Sequence, residues 1–222
     1  DTDGFAETLA LATALRTALP GLVIVVGGRK AAWFRERLLR ANTALEGAIF
    51  GDPETVLMAL AEGGLRPLPG LVTRDGEGFV APPRGAEVPL DDLPLPVYDP
   101  AVYPAMAGDD KLQMVILNES RGCPNRCAFC VHPFEDGEVQ RLVSPARLVD
   151  NMAALQARYG FSVFRFGGAS TPGSLLRTVA EQILARGLRV QYNSFGHFRT
   201  TRPEEFELLA RSGLYSLFYG LE

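Results

Sequence analysis

Two stretches of this chain alternate short apolar runs with amphipathic segments, and a polar, proline-rich stretch separates them. In the first, Phe5, Leu9, Ala12 and Leu15 recur at helical spacing and predict a helix over residues 3–19. Leu22 to Val26 is a continuous apolar run with β-branched residues, the pattern of a strand buried in a parallel sheet. It ends in Gly27-Gly28, and a second helix follows over about residues 31–41. Ala48 to Phe50 predicts another short strand. Gly51-Asp52-Pro53-Glu54 comes next and opens a helix through about Glu62, with Asp52 as cap and Pro53 in the first turn. Such alternation implies a doubly wound parallel sheet with ligands at the carboxyl ends of its strands.

In the second stretch the apolar run Leu112 to Leu117 predicts a strand. Ser144-Pro145 opens a helix whose inner face is Leu148, Val149, Met152, Leu155 and Tyr159, closed by Gly160. Phe161 to Phe166 is a strand ending in Gly167-Gly168, and Thr171-Pro172 caps a helix carrying Leu175, Leu176, Val179 and Ile183 inward. Leu188 to Phe195 is a strand. A helix after Thr201 is expected to bury Phe206 and Leu209 and to close at Gly213, before a last strand, Leu214 to Tyr219. These strand–helix units describe part of a (β/α) barrel, whose active face lies at the carboxyl ends of the strands.

Nine of the sixteen prolines lie between Pro67 and Pro104. Leu71 to Arg74 and Phe79 to Ala81 flank Asp75-Gly76-Glu77-Gly78, a hairpin signal. Leu93-Pro94-Leu95-Pro96-Val97-Tyr98 cannot be a helix or a central strand, because proline lacks the ladder donor. The expected organisation is therefore a first domain over 1–66, a connector with a hairpin over 67–110, and a second domain over 111–222.

Composition narrows the function only by exclusion. With 47% hydrophobic and 22% charged residues, the chain has an ordinary globular balance. A net charge of −4 offers no electrostatic case for nucleic acid or an anionic membrane surface. Its apolar runs are too short to span a bilayer. Asp1 is not a natural start and a barrel is not complete at Glu222, so a longer natural protein is expected.

The chemistry concentrates in Ser120-Arg-Gly-Cys-Pro-Asn-Arg-Cys-Ala-Phe-Cys-Val-His-Pro133, which holds the only three cysteines, Cys123, Cys127 and Cys130. Gaps of three and two residues let one loop present three sulfurs to one point. Three thiolates on a four-iron cluster leave one iron open for substrate chemistry. A disulfide is disfavoured by the odd count and the tight spacing. Cys3His zinc ligation with His132 is the alternative, giving a zinc-stapled binding module. His132 lies only two residues past Cys130, whereas structural zinc sites draw ligands from separated knuckles; it reads better as a loop-packing residue. An iron–sulfur electron carrier would normally want a fourth thiolate.

The cysteine spacing, Gly122 before it, Phe129 within it and the apolar strand ahead of it resemble the radical S-adenosylmethionine (SAM) superfamily. A strand ending in Gly27-Gly28, then a strand ending in Gly-Asp-Pro-Glu, then a Leu-Pro-x-Pro connector resemble the subgroup with an N-terminal cobalamin-binding domain. That resemblance implies a partial Rossmann-like, cobalamin-binding-type domain followed by a partial radical-SAM barrel. It implies a 4Fe–4S cluster on the three cysteines, SAM bound at the fourth iron and cleaved to a 5′-deoxyadenosyl radical, and cobalamin as a further cofactor. Phe129 would pack near the adenine, Gly167 and Gly168 would meet the SAM amino group, and Glu222 would lie near the ribose and methionine moiety. Where the family carries Gly-Gly-Glu this chain has Ala169, so Ser170 or Thr171, or the backbone alone, would serve the amino group. Gly27 and Gly28 would lie at the cobalamin.

The implied activity is methyl transfer to an unactivated carbon or phosphorus of a small-molecule or peptide substrate, with radical cyclisation or rearrangement as the alternative. The implied partner is an electron donor such as flavodoxin or ferredoxin, with no nucleic acid and no membrane. Reduced cysteines and an oxygen-sensitive cluster imply the cytoplasm. Arg121, Arg126 and Arg141 surround the cysteine loop in sequence and could pair with the SAM carboxylate. Asn193, Ser194, His197 and Arg199 fall at the third barrel strand's carboxyl end.

Overall fold

The computed structural model describes residues 3–107, 113–130 and 139–220. The chain divides into two compact units, Asp1–Val88 and Pro89–Glu222.

In the first unit α1 is Asp3–Ala18, β1 is Val25–Val26, α2 is Arg29–Phe34 and α3 is Glu36–Ala41. They are followed by β2 (Gly47–Ile49), α4 (Pro53–Gly63) and a hairpin of β3 (Leu71–Asp75) and β4 (Gly78–Val80). Strands run in the order β1-β2-β3-β4, with β1 and β2 parallel and the hairpin antiparallel to β2. The hairpin expected inside a connector thus extends the first unit's sheet, with Val72 opposite Ala48 and Leu71 opposite Ile49. Its apolar face explains the placement: Leu71 and Val72 are fully buried, which an isolated two-stranded ribbon could not achieve. One core packs Leu38, Leu39, Leu45, Ala48, Phe50 and Val72 with Ala12 of α1. A second cluster joins Ile49 and Leu71 to Val56 of α4.

Two local expectations are corrected here. The helix over 31–41 is two helices, broken at Arg35, the only non-glycine residue with positive φ among the described residues (φ 45°). The turn places the Arg35 guanidinium 4.4 Å above the Phe50 ring, a cation–π contact. Asp52 makes no side-chain cap to α4; its Oδ2 instead accepts the Val88 N–H at 3.2 Å.

The second unit holds a four-stranded parallel sheet of β5 (Met114–Leu117), β8 (Val163–Phe166), β9 (Gln191–Phe195) and β10 (Leu214–Phe218), paired in that order. Between β5 and β8 lies a small antiparallel ribbon of β6 (Ser120–Arg121) and β7 (Arg141–Leu142). Helices α5 (Pro145–Tyr159), α6 (Gly173–Ala185) and α7 (Phe206–Arg211) connect the parallel strands. This is the partial barrel that the alternating pattern implies.

Its core interleaves one side of the sheet with the inner faces of α5 and α6: Val115, Leu117, Phe164, Phe166 and Tyr192 meet Leu148, Met152, Leu155, Leu176, Val179 and Ile183. The other side of the strands stays open, with Ile116 56% exposed. Helix α5 starts as its sequence dictates, with Ser144 Oγ accepting the Arg147 N–H, and ends at Gly160 with φ 77°.

The Leu-Pro-Leu-Pro segment belongs to this unit's core. Leu90 is buried, and Leu93, Leu95 and Tyr98 pack against the core. Arg147 donates to the Leu93 carbonyl at 3.0 Å, and the Tyr98 N–H donates to the Tyr159 hydroxyl at 3.1 Å. Chain that cannot donate to a ladder is held by side chains instead. Phe206 was expected inside but is 43% exposed; Leu209, 1% exposed, carries α7's contact with the core, with the partly buried Leu208 packed beside it. Among the described residues no helix is long and apolar enough to cross a membrane.

Candidate functional site

The cysteine loop leaves the carboxyl end of β5 and returns along β7. Ser120 pairs with Leu142 and Arg121 with Arg141, so the β6–β7 ribbon forms a neck at the root of the segment that carries the cysteines. Gly122 turns the chain out of the neck at φ 78°, a conformation that favours glycine. Cys123 is buried, Cys127 exposed and Cys130 intermediate, and none is in a disulfide. The Cys130 N–H donates to the Cys127 carbonyl at 3.0 Å, forming a tight turn between those two. Asn125 Nδ2 lies 3.6 Å from Cys123 Sγ as a donor. Among the described residues no three metal-ligating side chains stand together. What fits a cluster is the donor set: three unpaired soft sulfurs within eight residues, on a loop tied at its root. His132 and Glu222 lie outside the described residues, and Phe129 is on the loop surface, 66% exposed.

Below the neck sits a buried polar cluster whose central residue the sequence did not single out. Glu119, one residue past the β5–loop junction, is completely buried. Its Oε2 accepts the Gly168 N–H at 2.9 Å, and its Oε1 accepts the Thr171 hydroxyl at 2.6 Å and the Ser120 hydroxyl at 3.2 Å. Thr171 and Ser194 hydroxyls lie 2.5 Å apart. Because the single Thr171 proton goes to Glu119, Ser194 is the donor of that pair. The Glu119 backbone carbonyl also accepts the Val143 N–H at 2.9 Å. One carboxylate thereby links the carboxyl ends of β5 and β8 to the neck of the cysteine loop, and reaches β9 through Thr171.

Gly167 and Gly168 follow β8, as their sequence position implies. A side chain at Gly168 would run into Ser120 Oγ and the Glu119 carboxylate, and one at Gly167 would stand 2.7 Å from Asn118 Oδ1. The pair is therefore required by the protein's own packing. Ser170 is half-buried, and its carbonyl accepts from Gln140 Nε2 at 2.6 Å. Thr171 was read as a helix cap, but α6 has no side-chain cap, and the hydroxyl is turned to Glu119. Its N–H is held by the Phe195 carbonyl at 2.7 Å, which fixes the residue against β9.

Of the other residues named from sequence, the structure brings Arg121 and Arg141 together as direct partners across the neck. Ser194 joins the Glu119 cluster. Asn193 Nδ2 donates to the Tyr215 hydroxyl on β10. His197 is engaged locally, its Nδ1 accepting the Arg199 N–H at 3.2 Å and its ring stacked on Phe198. In the first unit Gly28 has φ 96° at the start of α2, and Gly27 packs near Ile49. The signal that could have found Glu119 is a charged residue set between an apolar strand and a Gly-Cys loop, in a chain whose Gly-Gly turn lacks its own carboxylate.

Burial raises the Glu119 pKa above the ordinary carboxylate range, with the Thr171, Gly168 and Ser120 hydrogen bonds acting against it. An acid whose folded pKa exceeds its unfolded one binds more protons when folded, so stability falls as pH rises between the two values. Glu119→Gln removes that dependence. Thermal melts from pH 4 upward are expected to show the wild type losing stability relative to the variant, with the gap constant once Glu119 is fully ionised.

Residues 117–222 match the Radical SAM superfamily. An uncharacterised methyltransferase of Pyrococcus horikoshii is 23% identical over 209 residues, covering 90% of this chain and 45% of its own length. Hopanoid C-3 methylase of Methylococcus capsulatus is 27% identical over 239 residues, covering 97% of this chain and 42% of its own length. The chain thus spans less than half the length of these curated relatives. Among solved structures, the radical SAM methyltransferase TsrM from Kitasatospora setae, with cobalamin and a 4Fe–4S cluster bound, superposes with a TM-score of 0.72 at 21% identity, covering 98% of this chain and 44% of TsrM. The same enzyme with tryptophan substrate and a SAM analogue gives 0.73 at 22% identity, covering 97% and 44%. Over residues 117–222, where the cysteine loop stands at the carboxyl end of a parallel β/α sheet, the chain is therefore similar to the radical SAM superfamily.

Proposed function

We propose that this chain is the cofactor-binding core of a cobalamin-dependent radical SAM methyltransferase, acting on an unactivated carbon or phosphorus. The observation that carries this is the order of parts: an α/β unit, then a partial barrel whose first strand delivers Cys-x3-Cys-x2-Cys into a tied loop at the carboxyl ends of the strands. TsrM has the same fold over nearly the whole chain, and it is a methyltransferase with cobalamin bound.

When bound, a 4Fe–4S cluster with one iron open passes an electron into SAM, and cobalamin carries a methyl group. Cys123, Cys127 and Cys130 supply the three thiolates. Burial of Cys123 at the neck fixes one end of the ligand set, while Cys127 and Cys130 share the outer turn. Gly167 and Gly168 bring bare backbone beside the cluster loop, where the amino group of SAM needs acceptors. Arg121 and Arg141, opposed across the neck, concentrate positive charge at the loop's root, which suits the SAM carboxylate. Phe129 offers an aromatic surface for the adenine, and Ser170 and Glu222 fall to the same cofactor. Gly27 and Gly28 end the first unit's β1 and are assigned to cobalamin by the same order of parts. The substrate is a small molecule or a peptide, electrons come from a flavodoxin or ferredoxin, and the enzyme works in the cytoplasm, a reading that thiols left reduced and an oxygen-sensitive cluster support.

Anaerobic reconstitution of the whole protein tests this reading. The expected result is a broad iron–sulfur absorption that responds to SAM, 5′-deoxyadenosine on reduction, and bound corrinoid after expression with supplemented cobalamin. A colourless protein with one tightly bound zinc would overturn it, and cluster chemistry without corrinoid would remove the cobalamin half.

A further inference from the structure

Besides the Thr171 hydroxyl on Glu119 Oε1, three hydrogen bonds dock the turn after β8 onto the end of β5 and the neck of the cysteine loop. The Gly167 N–H donates to the Leu117 carbonyl at 2.9 Å, the Gly168 N–H to Glu119 Oε2 at 2.9 Å, and Gln140 Nε2 to the Ser170 carbonyl at 2.6 Å. The second of these fixes the peptide plane between Gly167 and Gly168. In a trans peptide the carbonyl points opposite to the N–H. With the Gly168 N–H turned inward to a buried carboxylate, the Gly167 carbonyl is turned outward. Gly167 is exposed while Gly168 is buried, as this geometry demands, and that carbonyl accepts no hydrogen bond among the described residues. Two glycines in succession would otherwise leave the plane free to rotate, since neither has a side chain to restrict it. Ala169 supplies no carboxylate to the turn; Glu119 supplies one from across the sheet and spends it on the backbone.

We propose that Glu119 is a positioning residue for SAM: by holding the Gly168 N–H it presents the Gly167 carbonyl outward as a hydrogen-bond acceptor for the cofactor's ammonium group. This rests on the radical SAM reading of the site and adds to it the device that orients the acceptor. The positioning needs an acceptor oxygen and not a charge. In Glu119→Gln the amide oxygen can still take the Gly168 N–H, its NH2 can donate to Thr171 Oγ1, and the Thr171 proton then turns to Ser194. In Glu119→Ala the Gly168 N–H loses its partner and the plane is released.

The test compares wild type, Glu119→Ala, Glu119→Gln and Thr171→Val in the whole protein. Amide hydrogen exchange of a peptide spanning residues 166–171 is read without cofactors. SAM is then titrated against the electron paramagnetic resonance signal of the reduced, reconstituted cluster. Glu119→Ala is expected to speed exchange at this turn and to raise the SAM concentration for half-saturation at least about tenfold, the scale of one hydrogen bond to a charged group. Iron content should be unchanged, because the three thiolates are untouched. Glu119→Gln should match wild type in both readings, and Thr171→Val, which removes one donor to the carboxylate, should fall between.

Unchanged exchange in Glu119→Ala, or SAM binding equal to wild type, overturns the proposal. Glu119→Gln behaving like Glu119→Ala also overturns it, since charge would then be what the site uses. Should Glu119→Ala not fold, Thr171→Val decides: faster exchange with weaker SAM binding supports the proposal, and no change in either refutes it. Should the wild type take up no cluster, the radical SAM reading itself fails, and the exchange comparison still decides whether Glu119 holds the turn.

Discussion

Cys127→Ala is expected to lose the iron–sulfur cluster and, with it, reductive cleavage of SAM, while the polypeptide stays folded. The cysteine loop has three sulfurs, and this sequence holds no fourth thiolate to replace one. Two remaining thiolates hold a cuboidal cluster poorly, so iron and sulfide per chain should fall by about tenfold or more after anaerobic reconstitution. 5′-Deoxyadenosine should fall to background. The fold is insulated from the change because Cys127 is exposed, on a loop whose neck is fixed by the Ser120–Leu142 and Arg121–Arg141 pairs. Substitution of an exposed loop residue costs within about 0.5 kcal/mol. Circular dichroism and the urea midpoint of the cofactor-free protein should therefore match wild type. Cys123→Ala offers a contrast: its side chain is buried at the neck, so it should lose the cluster and some stability as well. A variant lacking Cys127 that still assembled a SAM-responsive cluster would remove the ligand assignment for the whole loop.

The cysteine loop and the β/α alternation are legible in the sequence because both are local: a spacing in one case, a period in the other. What escapes is set by contacts far apart in the chain. Glu119 meets Gly168 and Thr171 across about fifty residues, and nothing near Glu119 in sequence names them. Thr171-Pro172 ahead of an amphipathic run reads as a cap because that is what threonine does before a helix in isolation. The Phe195 carbonyl and the buried carboxylate compete for the residue and win. The hairpin signal at Asp75-Gly76 is plain, but its partner strand is chosen by Leu71 and Val72, whose burial requires β2. The break at Arg35 has no sequence mark, since neither glycine nor proline occurs there. Phe206 carries the helical spacing of an inward residue, yet the short α7 turns only Leu209 fully onto the core.

Phe166→Ala should be the most destabilising substitution in the barrel and should also disturb the site without touching it. Phe166 is fully buried at the end of β8, stacked on Tyr192 of β9 with ring centroids 5.2 Å apart. Truncating a buried phenylalanine costs about 3–5 kcal/mol, and the lost ring pair is part of that. Against a domain stability of about 5–15 kcal/mol this is a large fraction, so the urea midpoint should fall steeply with an unchanged slope. Alkaline unfolding gives an independent reading. Burial pushes the Tyr192 hydroxyl up to about 12, with the Ser212 hydrogen bond acting against the shift. A phenol whose folded pKa is raised binds its proton more tightly when folded. Its contribution is therefore complete below the unfolded value of about 10 and is lost as pH rises from there to about 12. Removing the Phe166 ring lets water approach Tyr192, lowers that upper limit and shortens the window. Because Phe166 directly precedes Gly167, the cavity also frees the turn that Glu119 holds. Faster amide exchange at residues 167–171 in Phe166→Ala, in conditions where the variant is still folded, would show that core packing and the glycine turn are mechanically one piece. Exchange as slow as wild type would show that the Glu119 hydrogen bonds alone suffice to hold it.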